Sequence, residues 1–147
     1  MVTMEEKYQA TLLGVHVGDS LGMIVEAWKP EQIARYAGRI TELREPVIAR
    51  DTAGNVLQED EFGKLKYWNK DLKKGDPTDD TILTKALAES IVACKGIDLE
   101  DIAKKQVAEY SQRIQPDGKV SGGFGGTTKA AFRNLLNGIP PTESGVI

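Results

Sequence analysis

Helical periodicity, interrupted by glycine and proline, is the feature that most constrains how this chain can fold. Apolar residues recur at spacings of three and four through most of the sequence, whereas the alternation typical of a half-buried strand is scarce. The sequence therefore predicts an all-α fold. The predicted helices run from about Glu5 to Glu26, Pro30 to Ala37, Thr78 to Gly96, Asp98 to Ile114 and Thr127 to Gly138.

The periodicity is lost between about residues 41 and 75. Two short apolar runs on either side of Thr52–Asn55 would allow a small hairpin, but the composition favours a long polar loop. Three side chains are expected to fasten this loop to the body of the protein: Leu65, Tyr67 and Trp68.

Size, charge and cysteine content narrow the class of protein. The chain has 147 residues, which suits one globular domain, and its net charge of -3 argues against a nucleic-acid partner. Cys94 is the only cysteine, so an internal disulfide framework is excluded and a reducing compartment is favoured. No apolar stretch approaches the ~18 residues that a membrane span needs. We therefore expect a cytoplasmic protein that binds neither nucleic acid nor membrane.

The only histidine and two carboxylates share one stripe of the first predicted helix, which is otherwise largely apolar. On a helical wheel His16, Asp19 and Glu26 fall within roughly 80° of one another. The helix is predicted to be buried on most sides, and a buried carboxylate needs a partner, so the stripe is interpreted as facing a polar cleft. A solvent-exposed helix edge is the alternative, and His16 taken alone is interpreted as structural.

Thr78, Asp79 and Asp80 stand at the predicted start of a helix. A threonine N-cap followed by two acids in the first turn stabilises a helix, which is one explanation of the cluster. The same hydroxyl and carboxylates offer three oxygens of the kind that Mg²⁺ or Mn²⁺ prefers. For a metal site, other segments would have to supply the remaining ligands.

A second cluster consists of four glycines around Phe124, just before the last predicted helix. Backbone N–H groups of such a loop can approach an anion closely, and the dipole of the following helix favours one, so the loop is a candidate phosphate cradle. It matches neither the P-loop nor the dinucleotide-binding fingerprint. A flexible turn explains the glycines equally well.

Taken together and in this order, the three segments resemble the ADP-ribosylglycohydrolase family. The matching stretches are Gly14–Trp28, Gly75–Ile91 and Gly122–Gly145. The resemblance implies an all-helical fold around a two-metal site. It also implies hydrolysis of the bond between an acceptor and the anomeric carbon of ADP-ribose.

The resemblance assigns a role to each candidate residue. The metal ligands, for Mg²⁺ or Mn²⁺, are Thr78, Asp79 and Asp80. The residues with a catalytic role are Glu26, as a gate or base, and Asp79. The residues near the substrate are Asp19 on the first helix and the loop residues Gly123, Phe124, Gly125 and Gly126, which would contact the diphosphate and the neighbouring ribose.

The resemblance also implies that residues 1–147 are the N-terminal portion of one such domain. Family members continue into a second part that completes both metal sites, so this chain is expected to hold about half of the site. Alone, it is expected to be inactive, and to self-associate or to depend on a second chain. Two other interpretations remain: a non-catalytic ADP-ribose-binding or crystallin-like family member, and an unrelated helical interaction domain whose acids are only caps.

Overall fold

The all-α prediction is confirmed by the computed structural model, which describes residues 2–146 and leaves Met1 and Ile147 outside the description. Five helices and one two-stranded hairpin are present in these residues. Their bounds are α1 Met4–Gly22, α2 Pro30–Gln32, β1 Glu59–Asp60, β2 Gly63–Lys64, α3 Asp79–Cys94, α4 Leu99–Ser111 and α5 Gly126–Leu136. A 3₁₀ turn, Met23–Val25, follows α1, and a π turn, Ile33–Ala37, follows α2.

The described chain divides into two compact units. The first unit is built from the chain up to Val15 and from Thr78 onward, and the second unit is the continuous segment His16–Pro77. No helix within residues 2–146 is long and apolar enough to cross a bilayer.

Helix α1 departs from the prediction in its length and in its burial. It ends at Gly22 rather than near Glu26, because the chain tightens there into the 3₁₀ turn. Of its residues only Ser20 is buried, while Tyr8 and Leu13 are about two-thirds exposed, at 65% and 64%. Apolar residues on every side of a helix predict burial only if neighbours cover every side, and the described residues do not cover these.

The first unit is held by α3, α4 and α5. Asp98, the residue at which the helix was predicted to start, caps α4, since its carboxylate accepts a hydrogen bond from the Asp101 N–H (3.1 Å). Asp101 in turn ties α4 to α3: it accepts a hydrogen bond from the buried Ser90 hydroxyl (2.6 Å) and pairs with Lys105. The hydrogen bond from Lys105, with that from Ser90, lowers the pKa of Asp101 to about 2.

The core of the first unit is a cluster of three aromatic side chains, from two helices and one loop, completed by an isoleucine from a third helix. Phe124 lies edge-to-face with Tyr110 of α4, with ring centroids 5.4 Å apart. Phe132 of α5 packs against both rings, and Ile82 of α3 completes the buried cluster. The glycine-rich loop thus contributes a core residue.

The second unit has its own core, centred on Trp28, to which the sequence assigned no role. Ile24, Val25, Ala49 and Leu65 are buried with it. Its indole N–H donates to the Lys66 carbonyl (2.7 Å). Leu65 and Tyr67 fasten the polar loop as predicted, and the ring centroids of Tyr67 and Trp28 are 5.8 Å apart. The prediction for Trp68 is wrong, because that side chain is 40% exposed.

The loop between about residues 41 and 75 is largely irregular, as predicted. The hairpin of β1 and β2, in which Glu59 pairs with Lys64 and Asp60 with Gly63, was not predicted from the sequence. Strands of two residues each are too short to produce an alternating pattern. The alternative hairpin around Thr52–Asn55 exists only as one bridge, between Arg50 and Val56.

Candidate functional site

Helix α3 begins at the predicted acidic cluster. Thr78 is the N-cap, with an extended backbone, and its carbonyl accepts the first helical hydrogen bond, from the Ile82 N–H (3.1 Å). Thr78 is 3% exposed, Asp79 is half-buried and Asp80 is exposed. The capping explanation therefore holds only in part: Thr78 occupies the N-cap position and the two acids lie in the first turn, but the Thr78 side chain makes no capping hydrogen bond.

The backbone that leads into Thr78 is held by α1. The Gly75 carbonyl accepts a hydrogen bond from His16 Nε2 (3.0 Å), which must therefore carry the proton. The buried Ser20 hydroxyl lies 3.3 Å from the same carbonyl oxygen and 3.1 Å from that of Asp76. His16 thus makes a structural contact, in agreement with its interpretation, whereas no local sequence signal singled out Ser20.

The glycine-rich loop lies against the first turns of α3, so the first unit brings these two predicted segments together. Gly122 and Gly123 adopt φ of +90° and +84°, a backbone conformation that favours glycine. A Cβ on Gly122 would lie 3.4 Å from Ile82 Cδ1, one turn after Asp79. Phe124 is 2% exposed and packs into the core beside Ile82. Its ring anchors the loop to the helix that carries the acidic cluster.

The exposed part of that loop opens α5. Gly125 is the N-cap with an extended backbone, and α5 begins at Gly126; both glycines are exposed. A helix N-terminus directs backbone N–H groups and the positive end of its dipole outward. The arrangement is therefore compatible with the predicted anion cradle.

The prediction that His16, Asp19 and Glu26 share one face of the first helix is wrong. His16 and Asp19 lie on α1, where both are half-buried, but Glu26 lies beyond the helix end and is exposed. Glu26 follows the 3₁₀ turn and precedes Ala27, whose φ is +66°. All of these residues belong to the second unit.

The oxygen donors at the start of α3 fit a hard divalent cation in type but not in number. Thr78, Asp79 and Asp80 supply one hydroxyl and two carboxylates, the donors that Mg²⁺ and Mn²⁺ take. Within residues 2–146 no group of three or more His, Cys, Asp or Glu side chains could hold a metal ion. The described residues therefore match part of a coordination shell.

Comparison with known proteins identifies a family and two relatives that this chain resembles. A family model described as ADP-ribosylglycohydrolase matches residues 1–146. An uncharacterized protein of Archaeoglobus fulgidus is 32% identical over 147 residues, which cover 97% of this chain and 38% of that protein. The ADP-ribosylhydrolase ARH3 of Mus musculus is 29% identical over 131 residues, which cover 89% of this chain and 29% of ARH3. The chain thus spans well under half the length of these relatives.

Proposed function

The chain belongs to the ADP-ribosylglycohydrolase family, and from that membership we propose that it supplies half of a metal-dependent site that hydrolyses the glycosidic bond between ADP-ribose and an acceptor. The observation that carries the proposal is the packing of Gly122 and Phe124 against Ile82. This contact ties a loop suited to a diphosphate to the helix start that bears Asp79 and Asp80. The acceptor would be an ADP-ribosylated protein or small molecule.

Thr78, Asp79 and Asp80 would hold Mg²⁺ or Mn²⁺, with two ions in the complete site. The fit of their oxygen donors to a hard cation supports this assignment. When bound, such ions orient the ribose hydroxyls and stabilise charge at the reacting centre. The remaining ligands would come from outside this chain, because its described residues provide too few.

The loop Gly123–Gly126 would contact the diphosphate and the neighbouring ribose, with the exposed backbone of Gly125 and Gly126 accessible to the ligand and Phe124, which is 2% exposed, holding the loop in place. Because glycine has no side chain, phosphate oxygens could approach the N–H groups at the start of α5 closely. Phe124 would act through its buried ring, which fixes the loop before the ligand arrives. Such pre-organisation lowers the ordering cost of binding.

Glu26 or Asp79 would deprotonate the attacking water, and Asp19 would lie near the substrate. In this step the water oxygen bonds to the anomeric carbon as the bond from that carbon to the acceptor breaks, and the electron pair of that bond leaves with the acceptor. The proton of the water passes to the carboxylate and from there to the departing acceptor. The exposure of Glu26 supports the assignment, since a base or gate must be accessible to substrate and solvent.

The missing half of the site would come from the same polypeptide, from a second copy or from another chain. The short span of the chain relative to its relatives supports this proposal. The exposed apolar residues of α1, Tyr8, Leu12 and Leu13, also support it, because apolar surface of this kind is normally covered. We accordingly propose that the isolated chain is inactive. We place the protein in the cytoplasm, in keeping with its single cysteine.

The test introduces Asp79→Asn at the native gene, so that the chain is purified in whatever polypeptide or complex contains it. ADP-ribose release is measured with Mg²⁺ and with Mn²⁺, and Asp71→Asn, an exposed aspartate in the second unit, is the matched control. We expect Asp79→Asn to lose turnover by at least ~100-fold and Asp71→Asn to lose none. Full activity of Asp79→Asn would refute the metal assignment.

Binding to the 147-residue chain separates the remaining interpretations. Addition of ADP-ribose should shift the amide resonances of Gly123–Gly126 in nuclear magnetic resonance spectra. Binding without turnover by the native protein would favour a non-catalytic or crystallin-like member of the family. No binding, together with an effect of Asp79→Asn on stability alone, would refute the proposed ADP-ribose site in this chain.

A further inference from the structure

The turn that carries Glu26 is strained and is held from elsewhere in the second unit. Ala27 has a φ of +66°, a region that residues with a Cβ rarely adopt. Such a conformation persists only where surrounding contacts enforce it. The contacts on either side of Glu26 therefore determine where its carboxylate is presented.

On the N-terminal side, the buried side chain of Asn69 makes the longest-range of these contacts. Its Nδ2 donates to the carbonyl of Met23, three residues before Glu26 and 46 residues away from Asn69 in sequence. Asn69 is 3% exposed and Met23 is 2% exposed, so the hydrogen bond is shielded from water. The next carbonyl, that of Ile24, accepts a hydrogen bond from the Val47 N–H (3.2 Å).

On the C-terminal side, Trp28 closes the turn. Its backbone N–H donates to the Val25 carbonyl (3.1 Å), and its indole N–H donates to the Lys66 carbonyl (2.7 Å). Lys66 and Asn69 are three residues apart, so one short segment of the polar loop is hydrogen-bonded to the chain both before and after Glu26. Of these hydrogen bonds, the one from Asn69 is made by a polar side chain that lies outside the turn.

We propose that Asn69 is a positioning residue for Glu26: by holding the Met23 carbonyl it keeps the turn in its strained form and fixes the place from which Glu26 meets the substrate. This inference rests on the proposed role of Glu26 as base or gate. Without the Asn69 hydrogen bond, Ala27 can leave the left-handed region, and the backbone of Glu26 moves with it. A buried Met23 carbonyl would also lose its side-chain donor, which favours that rearrangement.

The first test measures the turn directly in the 147-residue chain. Asn69→Asp keeps the shape of the side chain but replaces its N–H donor with an oxygen. We expect hydrogen exchange at the amides of Glu26 and Trp28 to accelerate at least ~10-fold, with α4 amides unchanged. Asn55→Asp, which makes the same change in an exposed turn of the same unit, is the matched control and should leave these amides unaffected. Unchanged exchange in Asn69→Asp would overturn the proposal.

If Asn69→Asp does not fold, Asn69→Ala removes the donor without placing a carboxylate beside the Met23 carbonyl. The same comparison of amide exchange then applies, with tryptophan fluorescence confirming that the second unit is folded. Either variant decides whether Asn69 holds the turn.

The second test separates positioning from a general effect on stability. Asn69→Asp and Glu26→Gln are introduced singly and together at the native gene, and kcat and KM for ADP-ribose release are measured. We expect Asn69→Asp to lower kcat at least ~10-fold when Glu26 is present and less than ~2-fold in the Glu26→Gln background, with KM little changed. An equal loss in both backgrounds would overturn this proposal alone. A Glu26→Gln variant with full turnover would overturn the assignment of Glu26 as well.

Discussion

Replacing Phe124 with alanine tests whether the glycine-rich loop is anchored by its ring. The side chain is 2% exposed and contacts the rings of Tyr110 and Phe132. Truncating a buried phenylalanine costs about 3–5 kcal/mol, and an aromatic pair adds ~0.5–1.5 kcal/mol beyond its buried area. Because two rings and Ile82 would be left facing a cavity, we expect the free energy of unfolding of the first unit to fall by about 4 kcal/mol.

The assay is urea unfolding followed by far-ultraviolet circular dichroism, a signal to which α3, α4 and α5 contribute strongly. With an m-value of about 2 kcal/mol per molar urea, the midpoint should fall by about 2 M. Phe124→Leu, which keeps most of the buried volume, is the control and should cost about 1 kcal/mol. A loss below about 1 kcal/mol for the alanine variant would refute the view that this ring anchors the loop.

Three further substitutions test other parts of the structure. Ala27→Gly should raise the free energy of unfolding by about 0.5–1 kcal/mol in urea titrations followed by tryptophan fluorescence, because glycine tolerates φ of +66°; a loss of stability would contradict the strain. Gln32→Leu should lower it by about 2–3 kcal/mol in the same assay, because this fully buried side chain makes three hydrogen bonds; a neutral effect would show that they contribute nothing. Hydrogen bonds from Lys105 and Ser90 lower the pKa of Asp101 to about 2, below an unfolded value of ~3.9. The stabilisation of the fold by the ionised Asp101 carboxylate is therefore present above about pH 4 and is lost as the pH falls towards 2. Between about pH 4 and about pH 2 the melting temperature should fall more steeply in the wild type than in Asp101→Asn. Parallel curves of melting temperature against pH for the two proteins would contradict this.

The starts of the helices could be predicted because their signals are local. Pro30, Thr78 and Asp98 each stand at or next to the first residue of a helix, and a proline or a capping side chain acts within one turn. The ends were less predictable. Helix α3 was predicted to end at Gly96, but the left-handed residue that ends it is Lys95, with φ of +55°. A glycine near a helix end does not determine whether it or its neighbour adopts the left-handed conformation.

The exposure of α1 and the packing of the candidate site depend on contacts between distant residues, which local patterns do not encode. The wheel that predicted burial of α1 counts apolar side chains but not the neighbours that must cover them. Similarly, the packing of Ile82 against Phe124 and the hydrogen bond from Asn69 to Met23 each join segments more than forty residues apart. The acidic cluster and the glycine loop were found because their residue types are themselves unusual. The residues that hold them in place are ordinary ones.

The way the two units divide the chain affects the order in which they can form during synthesis. The second unit is one continuous segment, His16–Pro77, so all of its core residues are synthesised, and leave the ribosome, before α3 does. The first unit draws on both sides of that segment, and its core requires Phe132. Since domains generally fold as units during synthesis, the second unit can fold early around Trp28. Ile82 and Tyr110 remain uncovered until Phe132 has been made, and in that interval a nascent chain of this protein is most exposed to chaperones and to aggregation.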